Sequence, residues 1–98
     1  MYPQDKNVYE AETKIKEMRD KLAYKDLIIA ENYMKLGNNR SASIYFQDIY
    51  ENYIESEWAD NAMVGHAESL INGKKYDDAA KVLEKFNKLF PKSDQKTK

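Results

Sequence analysis

Between residues 5 and 36, Val8, Ala11, Ile15, Met18, Leu22, Ile29, Tyr33 and Leu36 recur at spacings of three, four and seven, with charged residues between them. No glycine or proline interrupts the stretch, and such spacing holds a single helical phase. It predicts one long helix, with a break near Tyr24 to Asp26 as the alternative. Three further periodic stretches predict helices over 40–52, 57–72 and 76–89. Gly37 and Gly73 each follow a periodic stretch, where a left-handed residue ends a helix without a Cβ penalty. Gly65 lies inside a stretch and reads as a point of close helix approach, at a cost of about 1 kcal/mol relative to alanine. Asp5 and Ser56 are placed as N-caps, each with a side-chain oxygen for a free amide. With Pro3 and Pro91 confined to the ends, the pattern is all-α.

The helices repeat. An offset of 37 residues aligns Ala30 with Ala67, Tyr33 with Leu70, Ala42 with Ala79, Phe46 with Leu83, Ile49 with Phe86 and Tyr53 with Phe90. Matches of size and polarity at one offset are the mark of a repeat array. An aromatic, a turn and a capping residue also recur, as Tyr2-Pro3-Gln4-Asp5, Tyr53-Ile54-Glu55-Ser56 and Phe90-Pro91-Lys92-Ser93. The first of these boundaries stands 14 residues further from the second than the repeat requires, close to four helical turns, which lengthens the first helix without rotating its apolar face. The predicted fold is a helical solenoid of about four antiparallel helices, its repeat core being Ala30, Tyr33, Ala42, Phe46, Ile49, Ala67, Leu70, Ala79, Leu83 and Phe86. Residues 5–54 form the long helix and its partner, 55–92 the second repeat, and 93–98 a polar tail, all within one solenoid fragment 1–98.

Composition narrows the chemistry. The 98 residues hold 16 basic and 17 acidic side chains, a formal charge of −1, without the cationic excess of a nucleic-acid binder. There is no cysteine, hence no disulfide frame and no thiol nucleophile. His66 is the only histidine, and Glu68 lies on another side of its helix, so no histidine-carboxylate metal pair is set up. Packing or solvation accounts for it. The serines lack a glycine-rich elbow, and Gly73-Lys74-Lys75 reads as a turn with cations at a helix end rather than a phosphate loop. Asp77 and Asp78 fit an acidic first turn. Glu10, Glu12, Glu17 and Asp20 are spaced to pair with Lys14, Lys16 and Lys21 along a solvated face. No catalysis, cofactor, metal or small-molecule substrate is expected.

Tyr76-Asp77-Asp78-Ala79-Ala80 with Leu83, Phe86 and Pro91 resembles the second helix of a tetratricopeptide repeat. The stretch from Ala11 to Ala23, AETKIKEMRDKLA, followed by Ala30, Tyr33, Gly37, Ala42 and Phe46, resembles the BamD family of lipoproteins of the outer-membrane β-barrel assembly machine. The resemblance covers Tyr2 to about Ser93. It implies the C-terminal two repeats of such a protein, beginning at the end of a third, with Met1 an added start. Ile44-Tyr45 and Tyr53-Ile54-Glu55 differ from that family's usual Asn-Arg and Tyr-Pro-Asp at those places. A related envelope protein of the Tol-Pal coordinator type is the alternative.

The resemblance implies a protein-binding scaffold that docks on the POTRA domains of the barrel insertase. It places the chain in the periplasm, on the inner face of the outer membrane, through a lipid anchor outside this sequence. Lys35, Arg40, Tyr45, Asp48 and Glu51 are the candidate docking residues, solvated surface being their competing reading. Tyr24, Leu27, Glu31, Met34, Val64 and Glu68, with Asn61 and Ile71, are expected to line a groove too acidic and apolar to clamp a carboxylate. The competing function is self-association through the apolar last helix, Val82, Leu83, Phe86, Leu89 and Phe90, giving a homodimer.

Overall fold

A computed structural model describes residues 6–91. The Asp5 cap, the boundary at Tyr2 and the 93–98 tail lie outside the described residues. Four helices follow in order: α1 Lys6–Lys35, α2 Asn39–Asn52, α3 Ala59–Asn72 and α4 Tyr76–Leu89. Each packs against the next, α1 also touches α3, and the assembly is an all-α helical solenoid of antiparallel helices. The 30-residue α1 runs unbroken through Tyr24 to Asp26. At about 1.5 Å per residue it accounts for most of the 53 Å long axis.

The turns repeat with the sequence. After α1, the Gly37 amide donates to the Met34 carbonyl and that of Asn38 to Tyr33; after α3, Lys74 donates to Ile71 and Lys75 to Leu70. These are the paired bonds of a Schellman ending, reproduced 37 residues on. Gly37 takes the left-handed conformation as expected, at φ 82°. Gly73 does not: its φ is −86°, and Lys74 carries the left-handed φ of 65° instead. At the repeat offset Lys74, not Gly73, is the counterpart of Gly37.

Two helix starts differ from the expectation. Asn38 caps α2, its Oδ1 accepting from the Ser41 amide at 3.1 Å. Ser56 accepts from the Trp58 amide at 3.2 Å, yet α3 begins only at Ala59, because the intervening residues form a separate turn.

The core joins Ala23, Leu27 and Ala30 of α1 to Phe46 and Ile49 of α2, Met63 and Ala67 of α3, and Val82 and Phe86 of α4. Gly65 does allow close approach, with the Phe46 ring lying where a Cβ would be, 2.5 Å from its Cε1. Three expectations are corrected here. Most of the apolar stripe of α1 does not face the core: Val8, Ile15, Met18, Leu22 and Leu36 are exposed, from 40 % at Val8 to 79 % at Leu36, while Ile29 and Tyr33 are partly buried and Tyr33 packs on the core. The buried face lies about a quarter turn round the helix, where alanines let α2 and α3 come close. Leu83 is exposed although its counterpart Phe46 is buried, since α3 covers Phe46 and no described element lies beyond α4. Leu27 belongs to the core rather than to a groove.

Candidate protein-docking groove

Spacing on two helices builds one open groove. Glu31, Met34 and Lys35 project from successive turns of α1, Asn61, Val64, Gly65 and Glu68 from α3, and the edge of Phe46 closes the floor. The space is about 510 Å³. Its floor is apolar, and Glu31, Glu68, Lys35 and Asn61 supply a mixed rim. Glu31 and Glu68 are repeat counterparts, so the two acidic positions mark one register in both repeats. Of the expected groove residues, Glu31, Met34, Val64 and Glu68 come together, with Asn61. Tyr24 lies two turns from Glu31 on the same face of α1, where its ring meets Trp58 with centroids 4.9 Å apart. Asp20, Lys21 and Glu57 complete a second recess there, of about 460 Å³. Trp58, Phe46 and Gly65 were not expected in these recesses. The glycine inside the α3 stretch was the signal for Gly65, since a position without a side chain between neighbours is where the Phe46 ring can come close.

The five candidate docking residues do not form one patch. Lys35 joins the groove. Tyr45 and Asp48 turn toward α1, where Tyr45 stacks on Tyr33 at 5.7 Å and Asp48 faces Asp26. Arg40 lies by the α3–α4 turn beside Gly73 and Lys75, and Glu51 accepts from Gln47 at 2.9 Å on the far side of α2. Helical spacing separates them, as 40, 45, 48 and 51 span more than one face.

Charges tie the elements together. Arg19 Nε donates to Glu55 Oε2 at 2.6 Å, its Nη2 donates to the Asn52 carbonyl, and its guanidinium lies 4.9 Å from the Tyr53 ring centre. Hydrogen bonding to Arg19 holds the Glu55 carboxyl below its ordinary pKa. Among the expected helical pairs, Lys16 to Asp20 forms at 3.1 Å. Asp26 is pushed up, first by burial and then by its hydrogen bond and charge repulsion with Asp48. Between α2 and α3, His66 Nδ1 and the Tyr50 hydroxyl are hydrogen-bonded at 2.8 Å. Burial lowers the His66 pKa, against the opposing pull of Glu51 and Asp78. Among the described residues no three histidine, cysteine or carboxylate side chains are grouped to hold a metal, and no helix is long and apolar enough to cross a membrane.

With the geometry of α3 and α4 in view, comparison with known families is decisive for the repeat. The tetratricopeptide repeat family model matches residues 61–93. The chain carries a tetratricopeptide repeat there, made of α3 and α4. No curated protein matches the chain. Tetratricopeptide repeats are in general non-catalytic units that bind other proteins. The groove opens on the face that α3 of this repeat shares with α1, and binding there needs no chemistry beyond shape, apolar contact and charge.

Proposed function

We propose that this chain is a docking scaffold whose α1/α3 groove receives a segment of a partner protein. The observation that carries this reading is the groove itself, where Met34, Val64 and Phe46 offer apolar contact between the counterpart carboxylates Glu31 and Glu68. A segment with apolar anchors flanked by lysine or arginine fits that arrangement. On the BamD-family resemblance, the partner is the POTRA array of the barrel insertase. The site of action is then the periplasmic face of the outer membrane, with the anchor supplied by a longer parent.

Calorimetric titration of the chain against the POTRA array tests both levels. The reading expects saturable binding that Glu68→Lys weakens by about tenfold or more, equivalent to about 1.4 kcal/mol, because an exposed rim charge changes sign without touching the core. Binding that Glu68→Lys leaves intact counts against the groove, and no binding counts against the insertase as partner.

A further inference from the structure

His66 is only 7 % exposed, yet packing accounts for just one of its two ring nitrogens. Nδ1 is hydrogen-bonded to the Tyr50 hydroxyl. Burial pushes the Tyr50 pKa up, so the phenol keeps its proton. Donating that proton to Nδ1 satisfies it, whereas the reverse arrangement leaves the phenolic hydrogen without an acceptor. The imidazole proton therefore sits on Nε2, which has no hydrogen-bond partner among the described residues and is not sealed from solvent.

The ring lines an open cavity of about 400 Å³ between α2 and α4. His66 and Leu70 stand about half a turn round α3 from Asn61 and Glu68, so the cavity lies on the side of α3 away from the groove. From α4, Asp78, Lys81 and Lys85 face it on one helical stripe. The Lys85 ammonium lies 5.6 Å from the centre of the Tyr50 ring that holds His66, and neither lysine is in an ion pair among the described residues. Asp78 is the one carboxylate lining the cavity. Glu51, the other carboxylate acting on His66, is engaged with Gln47.

Three of these groups donate and Asp78, ionised, only accepts. A ligand that satisfies all four has several anionic oxygens and a hydroxyl. We propose that the cavity binds a phosphate group that keeps a proton, its oxygens accepting from Lys81, Lys85 and His66 Nε2 and its hydroxyl donating to Asp78. This site goes beyond docking in the groove and does not depend on it. Sulfate has the same shape but no proton at neutral pH, and sets a bare oxygen against Asp78.

Titration of the full chain with inorganic phosphate at neutral pH and fixed ionic strength, followed by NMR, tests this. His66 is the only histidine, so its ring signals report without overlap. The expected result is a saturable shift of the His66 ring, with affinity lowered about tenfold or more by Lys81→Gln, and lower by a similar factor for sulfate. Lys35→Gln, in the groove, leaves it unchanged. Asp78→Asn, whose amide donates, brings sulfate up to the affinity of phosphate. Lys81 and Asp78 are exposed, so their variants keep the wild-type helical content by circular dichroism. Methyl phosphate at about pH 6, where a monoester still holds its last proton in part, separates an esterified group from the free ion as the source, and saturation by either supports the site. The absence of a saturable shift would overturn the proposal. So would sulfate binding the wild type as tightly as phosphate, sulfate affinity unmoved by Asp78→Asn, or equal losses with Lys81→Gln and Lys35→Gln, which would mark general charge attraction.

Discussion

Lys74 occupies in the α3–α4 turn the place that Gly37 occupies in the α1–α2 turn, both with positive φ, 65° and 82°, and both donating to the carbonyl three residues back. The left-handed conformation costs a residue with a Cβ about 1 kcal/mol or more. Lys74→Gly is therefore expected to raise stability by roughly 0.5–1 kcal/mol, read as a higher urea midpoint with unchanged slope. Gly37→Ala is expected to cost about 1 kcal/mol from backbone strain alone, because nothing lies within 4 Å of the added Cβ.

Gly65→Ala sets two effects against each other. Alanine favours a helix by about 1 kcal/mol, but its Cβ would stand 2.5 Å from Phe46 Cε1 and force the ring to move. Overpacking of that kind costs about 1–3 kcal/mol, so a net loss is expected in urea denaturation. Adding Phe46→Leu should bring Gly65→Ala back to neutral or better relative to Phe46→Leu alone.

Stability should fall with pH through the histidine range. Burial keeps the folded-state pKa of His66 below its ordinary value, so the unfolded chain takes up a proton first. The loss begins as pH falls through about 6.5 and levels off once the folded histidine is also protonated. Urea midpoints measured between pH 8 and pH 5 should show this decline, and His66→Gln should remove it.

Asp26→Asn is expected to stabilise the fold at neutral pH. The folded-state pKa of Asp26 is raised by burial and by Asp48, so the proton that favours the folded pair is lost as pH rises through that value. Asparagine keeps a donor for Asp48 and removes the repulsion. Midpoints at pH 7 should rise by less than about 1 kcal/mol equivalent, the pair being partly solvated, and the gain should shrink toward pH 4.

Arg19→Ala removes the clasp between α1 and the α2–α3 turn. Amide exchange over residues 7–18 should quicken relative to α3, because Glu55 and the Asn52 carbonyl lose their link to the helix. Equal rates in wild type and variant would show that this contact does not order the start of α1.

Glycine and proline placement and the 37-residue offset were enough to read the four helices, since both act through local backbone geometry. The repeat offset placed Ala30 and Tyr33 of α1 on the inner side, and Ala30 is fully buried with Tyr33 packed on the core, but the hydrophobic stripe alone pointed to a different face. Val8, Ile15 and Leu22 dominate any hydrophobic pattern, whereas the true inner face rests on Ala23 and Ala30, whose value lies in letting helices approach rather than in their own apolar area. Leu83 shows the converse limit, because repeat equivalence assigns a residue a face but cannot say whether a neighbour covers it. Glu31, Met34, Val64 and Glu68 could be placed on facing helices from spacing. The Tyr24 to Trp58 and Arg19 to Glu55 contacts could not, since each joins residues more than 30 positions apart with no periodic signal.

The central claim is that a protein partner docks in the α1/α3 groove, and amide chemical-shift mapping during titration with the POTRA array tests it most directly. The account predicts saturable shifts concentrated at Glu31, Met34, Lys35, Val64 and Glu68, with α4 undisturbed. Shifts confined to the Arg40, Glu51 and α4 side, or none at saturating partner, would contradict it.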